Sequence, residues 1–519
     1  MAEEDEKSLL YKLKPITTRM PAVKKPEGHV HFRRKMLWLI VILVVYFSLT
    51  NVTIYGLDPQ QTMDMFEQFR AIFAGESGSI VHLGISPIVN ASIMMQLFNG
   101  ADIVNLDMKD EDDKAVYQST QKFLVIIMIF VQAIPQVFGY LEPDSGWVIA
   151  LDGVLSGQGL LLARILIVAQ IALGCYLLFL MDEVVSKWGI GSGISLFILA
   201  GVAQGIFTGT LNWEPYENGI PGGTIPKTIH LVQQSSASEL SGGTLETILI
   251  QNPNPVIALA STILVFLLVA YVQATRVELP LSHGRARGAR GRYPLKLIYA
   301  SVIPVILVSA LLANINLFAM LFYTNESLAS FPLIGGKWWI GMYNAGQTEA
   351  VGGGAWYISR VEGIQEWLLP LISDKYSYLL TQGGVTHTKF QVIMKVIGHF
   401  TFMTVFAILF ANFWVKTTNM DAESVADQIQ DSGMQIPGFR RDPRVLRKVL
   451  ERYIPTITNF SGFFIGALAA TANMLGTVGN ASGVSLFLAV SILTELYEQM
   501  GKEQMMEMHP VLRDFFGNQ

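Results

Sequence analysis

The sequence is dominated by apolar runs of about 20 residues that recur along most of its length. A helix of that length spans the hydrocarbon core of a bilayer while satisfying its own backbone hydrogen bonds. Hydrophobic residues make up 51% of the 519 residues, and charged residues only 15%. A soluble protein of this size would need several domains with charged surfaces, which this composition does not supply. The chain is therefore predicted to be an all-α polytopic membrane protein.

Ten segments have the length and hydropathy of spanning helices. The single cysteine, Cys175, lies in the fourth of them, so it has no partner for an intramolecular disulfide and is expected to be a small core residue. The predicted spans are Met36–Tyr55, Ser79–Leu97, Phe123–Tyr140, Leu160–Leu180, Ile194–Thr210, Pro255–Val272, Leu297–Phe322, Val392–Val415, Pro455–Leu475 and Val484–Leu496.

Positive charge is concentrated in alternate loops. Most of the 36 Lys and Arg residues lie in the N-terminal tail, residues 1–35, or in loops that follow even-numbered spans. Because basic loops tend to stay inside, these segments and both termini are predicted to be cytoplasmic. Arg164 and Lys395 lie near the outer ends of spans four and eight, from which their side chains are expected to snorkel to the interface.

A weak internal repeat suggests two halves. SPIVNAS in span two and IPVILVSA in span seven each place Pro before a Val/Ile pair and a Ser. Five spans separate them, and an odd number per half puts the repeats in opposite orientations, so two inverted five-helix halves around a central pore are predicted. The expected divisions are an N-terminal tail 1–35, an N-terminal half 36–210, an external loop 211–254, a C-terminal half 255–500 containing cytoplasmic loops 275–296 and 416–452 and external loop 323–388, and a C-terminal tail 501–519.

The segment between the first two spans, Pro59–Phe73, has its own helical pattern. It is too short and too charged to cross a bilayer. Its apolar residues recur at three- and four-residue spacing, as in an amphipathic helix. Two interpretations stay open at this point, namely a helix lying on the membrane surface and a helix folded back into the protein.

No residue set predicts catalysis, a cofactor or a metal site. His399 in span eight is the one group placed to titrate in the middle of the membrane, and it would serve the alternative function, an inverted-repeat secondary transporter. The GESG motif at Gly75–Gly78 matches a short pattern of intramembrane serine proteases, but Ser77 precedes its span. GIGSG at Gly189–Gly193 is interpreted as a tight turn, since no strand precedes it. The protein is therefore not expected to be an enzyme.

Four longer motifs carry a family resemblance that runs from the first span to the tenth. They resemble the SecY family, the channel-forming subunit of the Sec protein translocon, in the forms typical of archaeal members. The motifs are LGISPIVNASIMMQL at Leu83–Leu97, MDEVVSKWGIGSGISLFI at Met181–Ile198, PLSHGRARGARGRYPLKLIYASVIPVIL at Pro280–Leu307 and RYIPTIT at Arg452–Thr458.

The resemblance implies a protein-conducting channel with an apolar ring at its waist, a plug helix beside it and a seam that opens sideways. The plug would be Pro59–Phe73, with Met65, Phe66 and Phe69 on its apolar face, which favours the folded-back interpretation. A ring of branched apolar side chains resists wetting yet can part around a polypeptide. Leu486 competes with Leu488 for the last ring position. The implied ring is Ile85, Val89, Ile194, Ile198, Ile306 and Leu488.

The resemblance also implies a lateral gate, docking loops and partners. The gate would lie between spans two and three and spans seven and eight, with amide side chains at Asn90, Gln132 and Asn314. Implied partners are SecE-like and Sec-beta small membrane subunits, signal-sequence-bearing nascent chains, the lipid bilayer of the cell membrane, the signal recognition particle receptor and the ribosome. The ribosome-binding residues would be Arg285, Arg287, Arg290, Arg292, Arg440 and Arg441.

Overall fold

The structure of the protein is a computed structural model. It describes residues 23–28, 30–58, 70–100, 103–104, 106, 110–139, 141–153, 157–215, 219–235, 243–251, 253–283, 290–296, 303–324, 335–344, 349–431, 434–435, 443–479 and 482–508.

The described residues form a helical bundle with short strands in its loops. In chain order the elements are α1 Phe32–Thr50, α2 Arg70–Phe73, α3 Ser86–Gly100, α4 Glu111–Gly139, α5 Ser145–Asp152, α6 Gly159–Trp188, α7 Gly193–Leu211, α8 Thr224–Gln234, α9 Leu245–Leu249, α10 Val256–Ala274, β1 Arg276–His283, β2 Arg290–Lys296, α11 Ile303–Thr324, α12 Gly353–Ile358, α13 Gly363–Ile372, a 3-10 helix Asp374–Leu380, β3 Thr381–Gln382, β4 Val385–Thr386, α14 Lys389–Thr417, α15 Ala422–Asp431, β5 Met434–Gln435, α16 Pro443–Leu475 and α17 Gly483–Met508.

Ten of these helices lie where spans one to ten are predicted, namely α1, α3, α4, α6, α7, α10, α11, α14, α16 and α17. Seven of the ten are long and apolar enough to cross a membrane by length and composition alone. The other three are α1, which has three basic residues in its first turn, α3, which has 15 residues, and α17, whose second half is charged.

Several helices run beyond their apolar segments. Span three begins at Glu111 and not at Phe123, and span nine begins at Pro443 and not at Pro455. Hydropathy marks only the part of a helix that lies in lipid. The helical backbone hydrogen bonds continue into water wherever the sequence favours a helix. Span two is instead shortened at its N-terminal end, because residues 79–85 form turns before α3 begins at Ser86.

One apolar cluster runs through both halves of the bundle. Span two contacts spans seven and eight, and span ten contacts span five, so the halves meet around the middle. Spans eight and nine pack closely because Gly462 and Gly466 lie one turn apart on α16. A Cβ at Gly466 would be 2.8 Å from the Met403 carbonyl oxygen of α14, so the approach requires a small residue.

The two ends of the bundle carry different loops. The end with the basic segments is called the basic end, and the opposite one the far end. At the basic end, β1 pairs antiparallel with β2 and also with β5, in the order β2-β1-β5. This small sheet joins loop 275–296 to loop 416–452, a connection that helical periodicity does not predict. The far end carries α8, α9, α12 and α13, which fold against the spans.

Candidate functional site

Two cavities approach the middle of the bundle from opposite ends. Each has a volume of about 580 Å³. Lys114, Trp414 and Gln499 line the cavity at the basic end. Thr50, Asn212 and Pro255 line the cavity at the far end. Among the described residues, none lines both cavities.

The residues assigned to the ring lie in the apolar cluster of the bundle. Val89, Ile194 and Ile306 line the cavity at the basic end, whereas the other three line neither cavity. Leu486 and Leu488 are both fully buried, so burial does not choose between them, and the ring stays a prediction. Ile194 is partly buried, and five assigned residues are buried, namely Ile85, Val89, Ile198, Ile306 and Leu488.

The floor of the far-end cavity is formed by α2 and the residues that follow it. Arg70, Ala71 and Ala74 line that cavity, and all four residues of α2 are buried. The described end of Pro59–Phe73 is therefore folded into the protein, as the second interpretation expects. Met65, Phe66 and Phe69 lie outside the described residues, so their part in a plug stays a prediction.

The end of α2 is held directly against Ile85, a residue assigned to the ring. The Ile85 amide donates to the Phe73 carbonyl oxygen at 2.7 Å, and the Tyr46 hydroxyl donates to the Ala74 carbonyl oxygen at 3.1 Å. Gly84 makes this approach possible, because it has a φ of 56° and a Cβ there would lie 2.1 Å from the Phe73 oxygen. The glycine in the LGISPIVN motif therefore has a steric role in seating α2.

A buried polar group beside α2 was not identified from the sequence. The Arg70 guanidinium donates to the His82 carbonyl oxygen. The His82 ring contacts the Gly78 amide at 3.2 Å through Nδ1 and the Gln136 Oε1 at 3.0 Å through Nε2. These contacts tie α2 to span three. The sequence feature that could have indicated this group is an arginine within an apolar helical pattern. An arginine is costly to bury unless its charge is paired.

Two of the three residues assigned to the gate meet across the halves. The Asn314 amide on span seven donates to the Asn90 Oδ1 on span two at 2.7 Å. The reverse contact, from Asn90 Nδ2 to Asn314 Oδ1, is 3.5 Å. Gln132 on span three is buried but makes no side-chain hydrogen bond to any described residue. The geometry thus brings Asn90 and Asn314 together and leaves Gln132 apart from them.

The basic loops are only partly described. Arg290 and Arg292 lie on β2, where their backbone partners on β1 are Ser282 and Pro280. Because β5 also pairs with β1 at Ser282 and His283, the two basic loops belong to one sheet. The other four assigned arginines, Arg285, Arg287, Arg440 and Arg441, lie outside the described residues.

The alternative sites find little support in the described residues. His399 is fully buried and lies 3.3 Å from both the Ile358 carbonyl oxygen and the Asn473 Nδ2, as a packing residue would. Ser77 lies in the turns before span two. Gly189–Gly193 joins α6 to α7 through a turn in which Gly191 has a φ of 80°. No cluster of His, Cys, Asp and Glu with metal-binding geometry occurs among the described residues.

Lys395 contradicts the expectation that it snorkels to the interface. Its side chain is only 6% exposed, and its Nζ forms an ion pair with Glu366 of α13. Arg164 lies 5.4 Å from the centre of the Phe138 ring and is partly buried. The position of Lys395 is set by the far-end loop, which hydropathy does not reveal.

Comparison with known proteins decides the family. The model of the SecY family matches residues 79–497. The chain belongs to the SecY family. A second model, described as the plug domain of Sec61p, matches residues 44–78 of this SecY-family chain. The SecY family consists of multi-pass membrane proteins that form protein-translocation channels.

SecY relatives and solved channels match almost the whole chain. The Halobacterium salinarum protein translocase subunit SecY is 44% identical over 510 residues, covering 97% of this chain and 98% of that protein. The Archaeoglobus fulgidus subunit is 44% identical over 518 residues, covering 99% of both. A solved structure described as a protein conducting channel has a TM-score of 0.73 at 34% identity, covering 96% of this chain and 98% of that chain.

A second solved structure is Sec61 in the canine ribosome-channel complex from the endoplasmic reticulum. Its TM-score is 0.71 at 34% identity, with the same coverage of 96% and 98%. The shared fold of ten helices in two inverted halves around a central pore confirms the fold class predicted from the sequence.

Proposed function

We propose that this SecY-family protein is a protein-conducting channel subunit, which passes unfolded secretory polypeptides across the membrane and releases transmembrane helices sideways into lipid. The observation that carries the proposal is the pair of cavities that approach one apolar layer from opposite ends. An apolar constriction excludes ions because it offers water no polar partners. A polypeptide can part the same side chains, since no covalent or polar bond holds them together.

The proposed path runs through the assigned ring, past α2. In the closed state α2 covers the far side of the ring through the Phe73–Ile85 contact. The proposed exit to lipid is the seam closed by Asn90 and Asn314. One interhelical hydrogen bond contributes only about 1 kcal/mol, so an arriving apolar signal helix can displace it.

The proposed partners follow from the same assignments. The basic sheet formed by β2, β1 and β5 supports docking of the ribosome, as in the canine complex, because arginines suit phosphate contacts. SecE-like and Sec-beta subunits, the signal recognition particle receptor and signal-sequence-bearing chains complete the proposed set. Both termini are proposed to face the cytoplasm and the protein to reside in the cell membrane.

Crosslinking of a stalled chain tests the path. In a Cys175→Ser background, we expect Ile306→Cys to form disulfides with a single cysteine placed in the middle of a stalled secretory chain. Phe266→Cys is the matched control, since Phe266 on span six is 42% exposed toward the bundle surface. Equal crosslinking of the two variants, or none at Ile306→Cys, would reject the proposed path.

A further inference from the structure

The loop at the far end between spans seven and eight is folded against three spans. Its described residues, 335–344 and 349–388, are here called the far-end clamp. The Tyr343 hydroxyl donates to the Asn316 carbonyl oxygen of span seven at 3.2 Å. The Trp367 indole donates to the Met474 carbonyl oxygen of span nine at 3.0 Å. A Cβ at Gly398 of span eight would lie 2.5 Å from the Tyr357 carbonyl oxygen, so the clamp and the helix are in close contact.

A closed polar network joins the clamp to span eight. Lys395 of span eight forms an ion pair with Glu366, and the Glu366 Oε1 also accepts from the Gln382 amide at 3.1 Å. The Gln382 Oε1 accepts from the Trp356 indole at 3.0 Å. The Lys395 Nζ lies 5.0 Å from the centre of the Trp356 ring, so the four side chains form a closed cycle of contacts.

Burial gives this network its specificity. The Lys395 and Glu366 side chains are 6% and 16% exposed, and Trp356 is 2% exposed. Burial raises the pKa of the Glu366 carboxyl, but the Lys395 ammonium, the Glu362 backbone amide and the Gln382 amide together outweigh burial and hold the pKa below its ordinary value. A buried pair adds little net stability over an apolar pair, yet each partner strongly penalises any arrangement that strands the other. Such a pair is suited to fix one register of span eight against the clamp.

The clamp also reaches the gate. Asn316, which the clamp contacts, lies two residues after Asn314, and Asn314 donates to Asn90 across the seam. Span eight contacts span two on the other side of the seam. The clamp therefore contacts both C-terminal helices that border the gate.

We propose that Lys395 and Glu366 are positioning residues of the lateral gate: their ion pair holds spans seven and eight in the closed arrangement through the far-end clamp. The inference rests on the proposed function, because it needs the Asn90–Asn314 seam to be the gate. Breaking the pair shifts the gate toward its open state without touching the seam.

Crosslinking across the seam measures this shift. All variants carry Cys175→Ser, Asn90→Cys and Asn314→Cys, and a short bifunctional thiol reagent reports how often the two positions approach in native membranes. We expect Lys395→Met to slow crosslinking about fivefold or more, the lower range of coupling between separate sites. Lys389→Met is the matched control, because Lys389 lies on the same helix and pairs with Asp374 of the same loop, but the two side chains are 45% and 91% exposed.

The double variant Lys395→Met/Glu366→Gln separates positioning from folding. In the double variant no buried carboxylate is left without its lysine partner. Its thermal midpoint should therefore recover toward that of the parent even if Lys395→Met alone folds poorly. Positioning predicts that its crosslinking stays slow. Parental crosslinking in a stable double variant, or equal rates in Lys395→Met and Lys389→Met, would overturn the proposal. A parent that never crosslinks would instead reject the seam as the gate.

Discussion

At the residue scale, single side chains decide how the central helices pack against one another. Gly84 lets the Phe73 carbonyl reach the Ile85 amide, and no residue with a Cβ could occupy that position without displacing α2. The Asn90 and Asn314 amides lie in a seam between helices and not toward lipid. Asn90 is therefore tolerated in span two because the Asn314 amide satisfies it.

Ion leakage separates a ring residue from an ordinary core residue. Ile306→Ser and Leu312→Ser remove side chains of equal size from the same buried helix, and each should cost about 2–5 kcal/mol of stability. Of these two residues, Ile306 lines the described cavity at the basic end, and Leu312 lines neither described cavity. We expect Ile306→Ser to raise the ion conductance of proteoliposomes at rest, because a hydroxyl allows the waist to be wetted. Similar conductance in the two variants would remove Ile306 from the ring.

At the element scale, short helices at the far end fix where the spans begin. Lys227 on α8 is almost fully buried, and its Nζ donates to the Gln251 and Pro253 carbonyl oxygens at 2.6 and 2.9 Å. These carbonyls directly precede α10, so the lysine anchors the start of span six. Such a contact between loops has no periodic signature, and the sequence reveals only a lysine in an amphipathic segment.

The anchor predicts a pH dependence. Burial lowers the pKa of Lys227 from 10.5 to about 8. Between these two values the unfolded chain holds a proton that the folded protein has released, so folding stability gains with rising pH. Measured by the thermal midpoint in detergent, wild type should become more stable relative to Lys227→Met from pH 8 to 10.5. A constant difference between the thermal midpoints of the two proteins over that pH range would contradict the lowered pKa of Lys227.

At the scale of the whole molecule, the two ends of the bundle differ in charge and in loop packing. The basic end joins two loops in one sheet, whereas the far end folds its loops against the spans. Because an extended strand pairing places distant loop segments side by side, β5 brings the second basic loop beside the first. The sheet therefore joins two loops that are far apart in sequence, and we expect their assigned arginines to lie near one another.

Ribosome binding tests that surface. Arg440→Glu should weaken copurification with translating ribosomes. It should also reduce the slope of log binding constant against log salt concentration by about 1, as expected for the loss of one phosphate contact. Lys337→Glu makes the same charge change in the far-end clamp and should leave binding unchanged. Weakened binding in both variants would indicate a general charge effect, and undiminished binding of Arg440→Glu would reject its assignment as a docking residue.

The sequence by itself determined the membrane class, the ten helices and the two-half arrangement, because apolar length and repeat spacing are local properties that lipid enforces. Long motifs indicated the family, and the ring and gate assignments came from that resemblance. The tertiary structure alone decided that Arg70 meets His82, that Lys395 pairs with Glu366 and does not reach the interface, and that β5 joins the basic loops. Each of these contacts links residues from separate elements, and a charged side chain finds its partner only when the fold brings the two together.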